Sequence, residues 1–162
     1  MNETPPTSSG VVRVLGIGNV LMSDDGLGPT VVRILAARFR TPAGVEIEDL
    51  GTPGADLVPW LCDAAAVILV DTVKADASPG SIRVFRDREV VASPPPDRTS
   101  PHQPGLREAL MAAELSDQSP QEVVLIGVTP GFTDQGTVLS NTVEGAVEQA
   151  VGLVLSELAR LG

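Results

Sequence analysis

Apolar positions along the chain fall into three kinds of pattern, and each predicts a different element. Val11 to Ile17 holds five Val, Leu or Ile residues in seven, with no polar alternation, which predicts a strand covered on both faces. Residues 64 to 71, AAAVILVD, and 122 to 128, EVVLIGV, read the same way. GVEIEDL at 44 to 50 alternates like a half-covered strand, and GSIRVFRD at 80 to 87 alternates like an exposed one. The latter follows its predecessor too closely for a helical crossover and is expected as an antiparallel edge strand. Helical spacing joins Leu27, Val31, Ile34, Leu35 and Phe39 on one stripe. Shorter helical segments are expected at 55 to 62 and 104 to 115. A long terminal helix should open on a capping pair, Asn141 with Glu144, and carry Val143, Ala146, Val147, Ala150, Val151, Val154, Leu155 and Leu158 inward. SPPPDRTSP at 93 to 101, with four prolines, is expected as an exposed, semi-rigid loop.

Strands alternating with helices imply a three-layer α/β/α sandwich with a mostly parallel sheet of about five strands, one edge strand antiparallel. Right-handed crossovers with the first strand central give the order 2-1-3, later strands lying beyond the third. Strands one and three then flank the switch point, where the crevice at the carboxyl ends of the strands is the usual ligand site. A length of 162 residues with 43% apolar content suits one domain over 11–162, preceded by a flexible tail at 1–10.

Composition narrows the function. One cysteine, Cys62, excludes a disulfide framework and a multi-cysteine zinc site and fits a reducing compartment. A net charge of -10, with scattered arginines and no tyrosine, argues against nucleic acid as a partner. No run of eighteen apolar residues could span a membrane, and MNETPPTSSG lacks the charge of a leader, so a cytoplasmic location is expected.

The candidate chemistry lies on the loops after the buried strands. Gly16 and Gly18 suggest a dinucleotide turn, but the third glycine of that fingerprint is replaced by Leu21, and Asp24 and Asp25 stand where a phosphate would need bare amides. Two readings of the aspartates stand: helix capping, or a carboxylate pair that a cation comes to share. Asp71, at the end of VILVD, is either partnered by a nearby loop or a ligand or base at the switch point. His102 is the only histidine, either exposed beside the proline-rich loop or the one imidazole available for chemistry. Cys62 has no positive neighbour to activate it. With no nucleophile elbow and no HExxH helix, Asp25, Asp71 and His102 remain as an oxygen, oxygen, nitrogen set that three loops could present to a divalent first-row metal.

At these residues the sequence resembles the hydrogenase maturation proteases, endopeptidases that remove a C-terminal extension from the large-subunit precursor of nickel-iron hydrogenases. The likeness is carried by LGIGNVLMSDDGLG, LGTPGADL at 50 to 57, VILVDTV at 67 to 73, SPHQPGL at 100 to 106 and the terminal TVEGAVEQA. The resemblance implies Asp25, Asp71 and His102 as nickel-binding positions. It also implies a metal-dependent, aspartate-type peptidase in which Asp25 or Asp71 handles a proton, with nickel carried by the substrate as the recognition element. The partner implied is the hydrogenase large-subunit precursor. A monomer is expected. Asp24 is left as a cap or supporting group, so Asp24→Asn should do little. GTPG at 51 to 54 would form a turn beside the site. The alternative keeps the three residues but drops catalysis: a nickel-binding or docking protein that inspects the metal centre.

Overall fold

The structure, a computed structural model, describes residues 10–92 and 103–162. The tail before Gly10, the proline-rich loop and His102 therefore lie outside the described residues. Five strands form one sheet: β1 (Val11–Ile17), β2 (Val45–Gly51), β3 (Ala64–Thr72), β4 (Ile82–Arg86) and β5 (Glu122–Val128), in the order β2-β1-β3-β5-β4. All pairings are parallel except that of β4 with β5, at the edge. The order 2-1-3 and the antiparallel edge strand are as the patterning predicts.

Why the central strands lack polar alternation is plain from β3. Ile68 and Val70 enter one core with α1 (Leu27–Arg38) and the terminal helix, while Val67 and Leu69 enter a second core on the opposite face, all four with no exposed surface. The second core is closed by a 3-10 turn at Gly54–Leu57, by α2 (Val58–Leu61) and by α4 (Gln103–Leu115), through Leu57, Leu61, Ala109 and Ala113. Each large aliphatic side chain so enclosed stabilises the fold by about 1.5–3 kcal/mol. Both faces of residues 67–70 must therefore be apolar.

Three local expectations change. Helix α1 ends at Arg38, so Phe39 falls in the extended residue beyond it, 43% exposed. A helix not foreseen, α3 (Arg88–Ala92), follows β4 directly; five residues are too few to display a period. The terminal helix is broken into α5 (Asn141–Glu144) and α6 (Val147–Leu161). Gly145 disfavours a continuous helix, and Ala146 instead donates to Val143 three residues back, at 3.0 Å. The Asn141 and Glu144 capping pair does not form. Ser140 holds the N-cap position, and its side chain makes no capping bond because it is engaged elsewhere. Among the described residues no helix is long and apolar enough to cross a membrane.

Candidate active site

The chain reverses its direction of travel across the sheet between β1 and β3, and the crevice opens at their carboxyl ends. Glycine makes that crevice possible by letting α1 start against the strands. A Cβ on Gly28 would lie 2.3 Å from the carbonyl oxygens of both Ile17 and Val70, and one on Gly16 would lie 2.6 Å from Gly28 O. The glycines that suggest a phosphate turn are thus spent on helix-to-strand packing. Gly18 has φ +144, and a Cβ there would sit 1.8 Å from the Asp25 carbonyl oxygen. The resulting tight fold directs the Asn19 N–H onto Asp25 Oδ2 at 2.8 Å.

Asp25 lies in a 3-10 turn, Ser23–Gly26, whose four residues are all buried. Its Oδ1 accepts from Thr72 Oγ1 at 3.2 Å, and the Thr72 N–H donates to Asp71 Oδ1 at 2.8 Å. One threonine therefore links the two carboxylates through its hydroxyl and its amide. Both aspartates are 7% exposed. Burial, and then the nearby charge of Asp25, push the Asp71 carboxyl well above the ordinary carboxylate range. Two carboxylates so close make a pair of hard oxygen donors, and a positive ion between them would relieve the repulsion that adds to the effect of burial on Asp71. Thr72 was not singled out by the sequence, although a hydroxyl directly after a strand-end carboxylate is the signal that could have found it.

Asp24 is not a helix cap. Its Oδ2 accepts from the N–H groups of Gly131 and Phe132 and from Ser140 Oγ, each at 2.8 Å, and Oδ1 accepts from the Ser140 N–H at 2.6 Å. It has no exposed surface. Burial raises its pKa, but the donors from Ser140, Phe132 and Gly131 outweigh that and hold it below the ordinary value. Further bonds tie the same loops: Ser23 N–H to Gly136 O at 2.9 Å, Asp24 N–H to Phe132 O at 3.0 Å, and Ser23 Oγ to Asp134 O at 2.8 Å. The turn that presents Asp25 is thus fastened to the connection between β5 and α5.

The GTPG turn does reach the site, since Gly18 N–H donates to Gly51 O at 2.8 Å. A cleft of about 390 Å³ runs along it, lined by Gly18, Asn19, Gly51 and Thr52 and flanked by the Arg33–Asp49 ion pair at 2.7 Å. The structure brings Asp25 and Asp71 together; His102 lies outside the described residues. Among the described residues no three His, Cys, Asp or Glu side chains form a metal cluster.

Comparison with known proteins bears on what this crevice serves. The family model for hydrogenase maturation protease matches residues 29–157, a span that includes Asp71 and His102 and begins after Asp25. The chain is 37% identical over 156 residues to the hydrogenase expression/formation protein HupM of Azotobacter chroococcum mcd 1, covering 96% of this chain and 75% of that one. It is 34% identical over 152 residues to the hydrogenase 2 maturation protease of Escherichia coli strain K12, covering 93% and 92% respectively. Among solved structures, the hydrogenase maturating endopeptidase HybD from E. coli superposes with a TM-score of 0.88 at 34% identity, covering 94% of each chain. The [NiFe] hydrogenase maturation protease HybD from Thermococcus kodakarensis gives 0.72 at 26% identity, over 90% of this chain and 97% of that one. By extent of match and by fold, this chain belongs to the hydrogenase maturation protease family.

Proposed function

We propose that this protein is the endopeptidase that removes the C-terminal extension of a nickel-iron hydrogenase large-subunit precursor after nickel insertion, and that the nickel carried by the precursor is what it recognises. The observation that carries the reading is the buried carboxylate pair at the switch point, joined by Thr72, with Asp71 biased toward its neutral form until a cation arrives. Asp25, Asp71 and His102 would hold the precursor's nickel. The ion would supply Lewis acidity toward the scissile carbonyl or a water.

The chain's own groups do the rest. Asn19 N–H and Thr72 Oγ1 fix the two oxygens of Asp25, so the carboxylate meets the substrate already oriented. Asp71 accepts from Thr72 through Oδ1 only, and its Oδ2 is the place where a proton taken from the attacking water would be held and passed to the leaving amine. Water adds its hydroxyl to the carbonyl carbon, the C–N bond breaks, and the proton ends on the new amino terminus.

Substrate ownership of the metal gives the test. No second imidazole and no thiolate accompanies His102 in the proposed donor set, so the free enzyme should bind nickel weakly. Enzyme treated with chelator and desalted should still shorten a nickel-loaded precursor, and a nickel-free precursor should stay uncut. Asp25→Asn, Asp71→Asn and His102→Ala should each stop processing in a folded protein. A desalted enzyme that is inactive until zinc or another ion is returned to it would refute substrate-borne recognition. A protein that binds the loaded precursor without shortening it would be the non-catalytic inspector instead.

A further inference from the structure

Six large apolar side chains are at least 43% exposed among the described residues, and three of them stand on the two loops fastened together at the site. Leu21 is 59% exposed, Phe132 51% and Val138 73%. Isolated apolar residues on a surface need no explanation, but the two loops that carry these are joined by backbone bonds. Leu21 O accepts from Gly136 N–H at 2.9 Å, two residues before Val138, and Phe132 O accepts from Asp24 N–H at 3.0 Å. Both loops reach Asp25 within a residue or two. Leu21 N–H donates to Asn19 Oδ1 at 2.9 Å, and Asn19 N–H in turn donates to Asp25; Phe132 is bound to Asp24, the residue before it.

Charge sharpens the contrast. The protein carries a net charge of -10, yet across residues 19–22 and 129–140 the sole ionisable side chain is Asp134. Depletion of charge around exposed aromatic and aliphatic side chains is the composition of an interface core, not of a solvated rim. The connection from β5 to α5 is also long for one with no helix or strand of its own, and such loops in compact domains are usually functional. Here it is held rigidly by Asp24, so its apolar side chains are presented rather than left to fold inward.

We propose that the face formed by Leu21, Phe132 and Val138 is where the folded large-subunit precursor docks, through apolar side chains of the precursor that flank its metal centre and scissile bond. The occupant follows from continuity with the site: a folded substrate whose scissile bond reaches Asp25 must lie against the loops on which these residues stand. This rests on the protease reading above. The face adds to the hold that the nickel ligands have on the precursor, and it takes no part in cleavage.

The test is the triple variant Leu21→Ser, Phe132→Ser, Val138→Ser and its three single variants, assayed with nickel-loaded precursor. Phe39→Ser and Leu115→Ser, exposed but outside the two loops, are controls. The triple variant should raise KM, and the Kd measured with an Asp71→Asn background, by about tenfold or more, with kcat within about twofold. Both controls should stay near the unaltered values. Should the triple variant lose its native circular dichroism spectrum, Phe132→Ser and Val138→Ser carry the same comparison. An unchanged KM and Kd, or a loss confined to kcat, overturns the docking face while leaving the protease reading in place. If the unaltered protein neither binds nor cuts the precursor, the protease reading falls and the docking face falls with it.

Discussion

Replacing Asp24 with Asn should destabilise this protein substantially, although an asparagine caps helices as well as an aspartate. Asp24 Oδ2 receives three donors and Oδ1 one. An asparagine keeps a single acceptor oxygen. With that oxygen in the Oδ2 position, three bonds survive without the help of a negative charge, and the new NH2 group faces the Ser140 N–H, donor against donor. One charge-assisted bond worth about 1.5–3 kcal/mol is lost and a buried donor is stranded at a cost of about 1–3 kcal/mol. The two terms overlap, so the loss should be about 2–4 kcal/mol, and Asp24→Ala, which strands all four donors, should lose roughly twice that. For a chain of this length about 2–4 °C of Tm accompanies each kcal/mol, so the asparagine variant should melt roughly 5–15 °C lower. Urea unfolding followed by Trp60 fluorescence measures the first, and thermal melting followed by circular dichroism measures the second. The sign with pH is fixed as well. Because the folded carboxyl titrates below its ordinary value of 3.8, its contribution is complete above that value and is lost as pH falls through the lowered one. The gap between the unaltered and asparagine proteins should therefore narrow in strong acid. A difference under about 0.5 kcal/mol at pH 7 would mean that the bonds to Ser140, Phe132 and Gly131 contribute nothing and that Asp24 is only a first-turn carboxylate.

Asp71→Asn should have the opposite effect on stability while abolishing processing. Its raised folded pKa means that the stability of the unaltered protein is complete below 3.8 and is lost as pH rises through the raised value, so the variant should be the more stable at pH 8, by on the order of 1 kcal/mol or more, and indistinguishable in acid. Thermal melts at pH 8 and below pH 3.8 check this; a variant less stable at pH 8 would show that the carboxylate is well solvated or paired. Gly28→Ala drives a Cβ to 2.3 Å from two backbone carbonyls and should cost more than about 3 kcal/mol or prevent folding, read as soluble yield and melting temperature. A loss near 1 kcal/mol would mean that α1 can shift away from β1 and β3.

Much of this was legible in the sequence because burial on two faces leaves an unmistakable mark. VILV in β3 has no polar residue to spare, and that fixed its central place, the switch point, and Asp71 at its end. The edge strand betrayed itself by alternation and by the short loop before it. What was hidden depends on pairings between residues far apart in the chain. Asp24 beside a helix start looks like a cap, and only the approach of Gly131, Phe132 and Ser140 shows otherwise. The expected capping pair of Asn141 and Glu144 is absent because Ser140 holds the N-cap position, and the same bond to Asp24 keeps the Ser140 side chain from capping. The break at Gly145 was masked because Val143, Ala146 and Val147 keep their inward spacing through it. Thr72 escaped notice for a simpler reason: the hydroxyl after Asp71 marks it as a candidate, but its role needs Asp25, a partner on another strand's loop.

The order β2-β1-β3-β5-β4 also has a consequence for how the molecule comes into being. β4 is synthesised before β5 but takes its hydrogen-bonded place only on β5, so a growing chain carries it unattached, with the free edge of β3 open, until residues 122–128 have emerged and entered between them. The turn that holds Asp25 must wait longer still, for Ser140. Although Asp25 and Asp71 are made early, a nascent chain that has not reached Ser140 carries the turn around Asp25 unfastened.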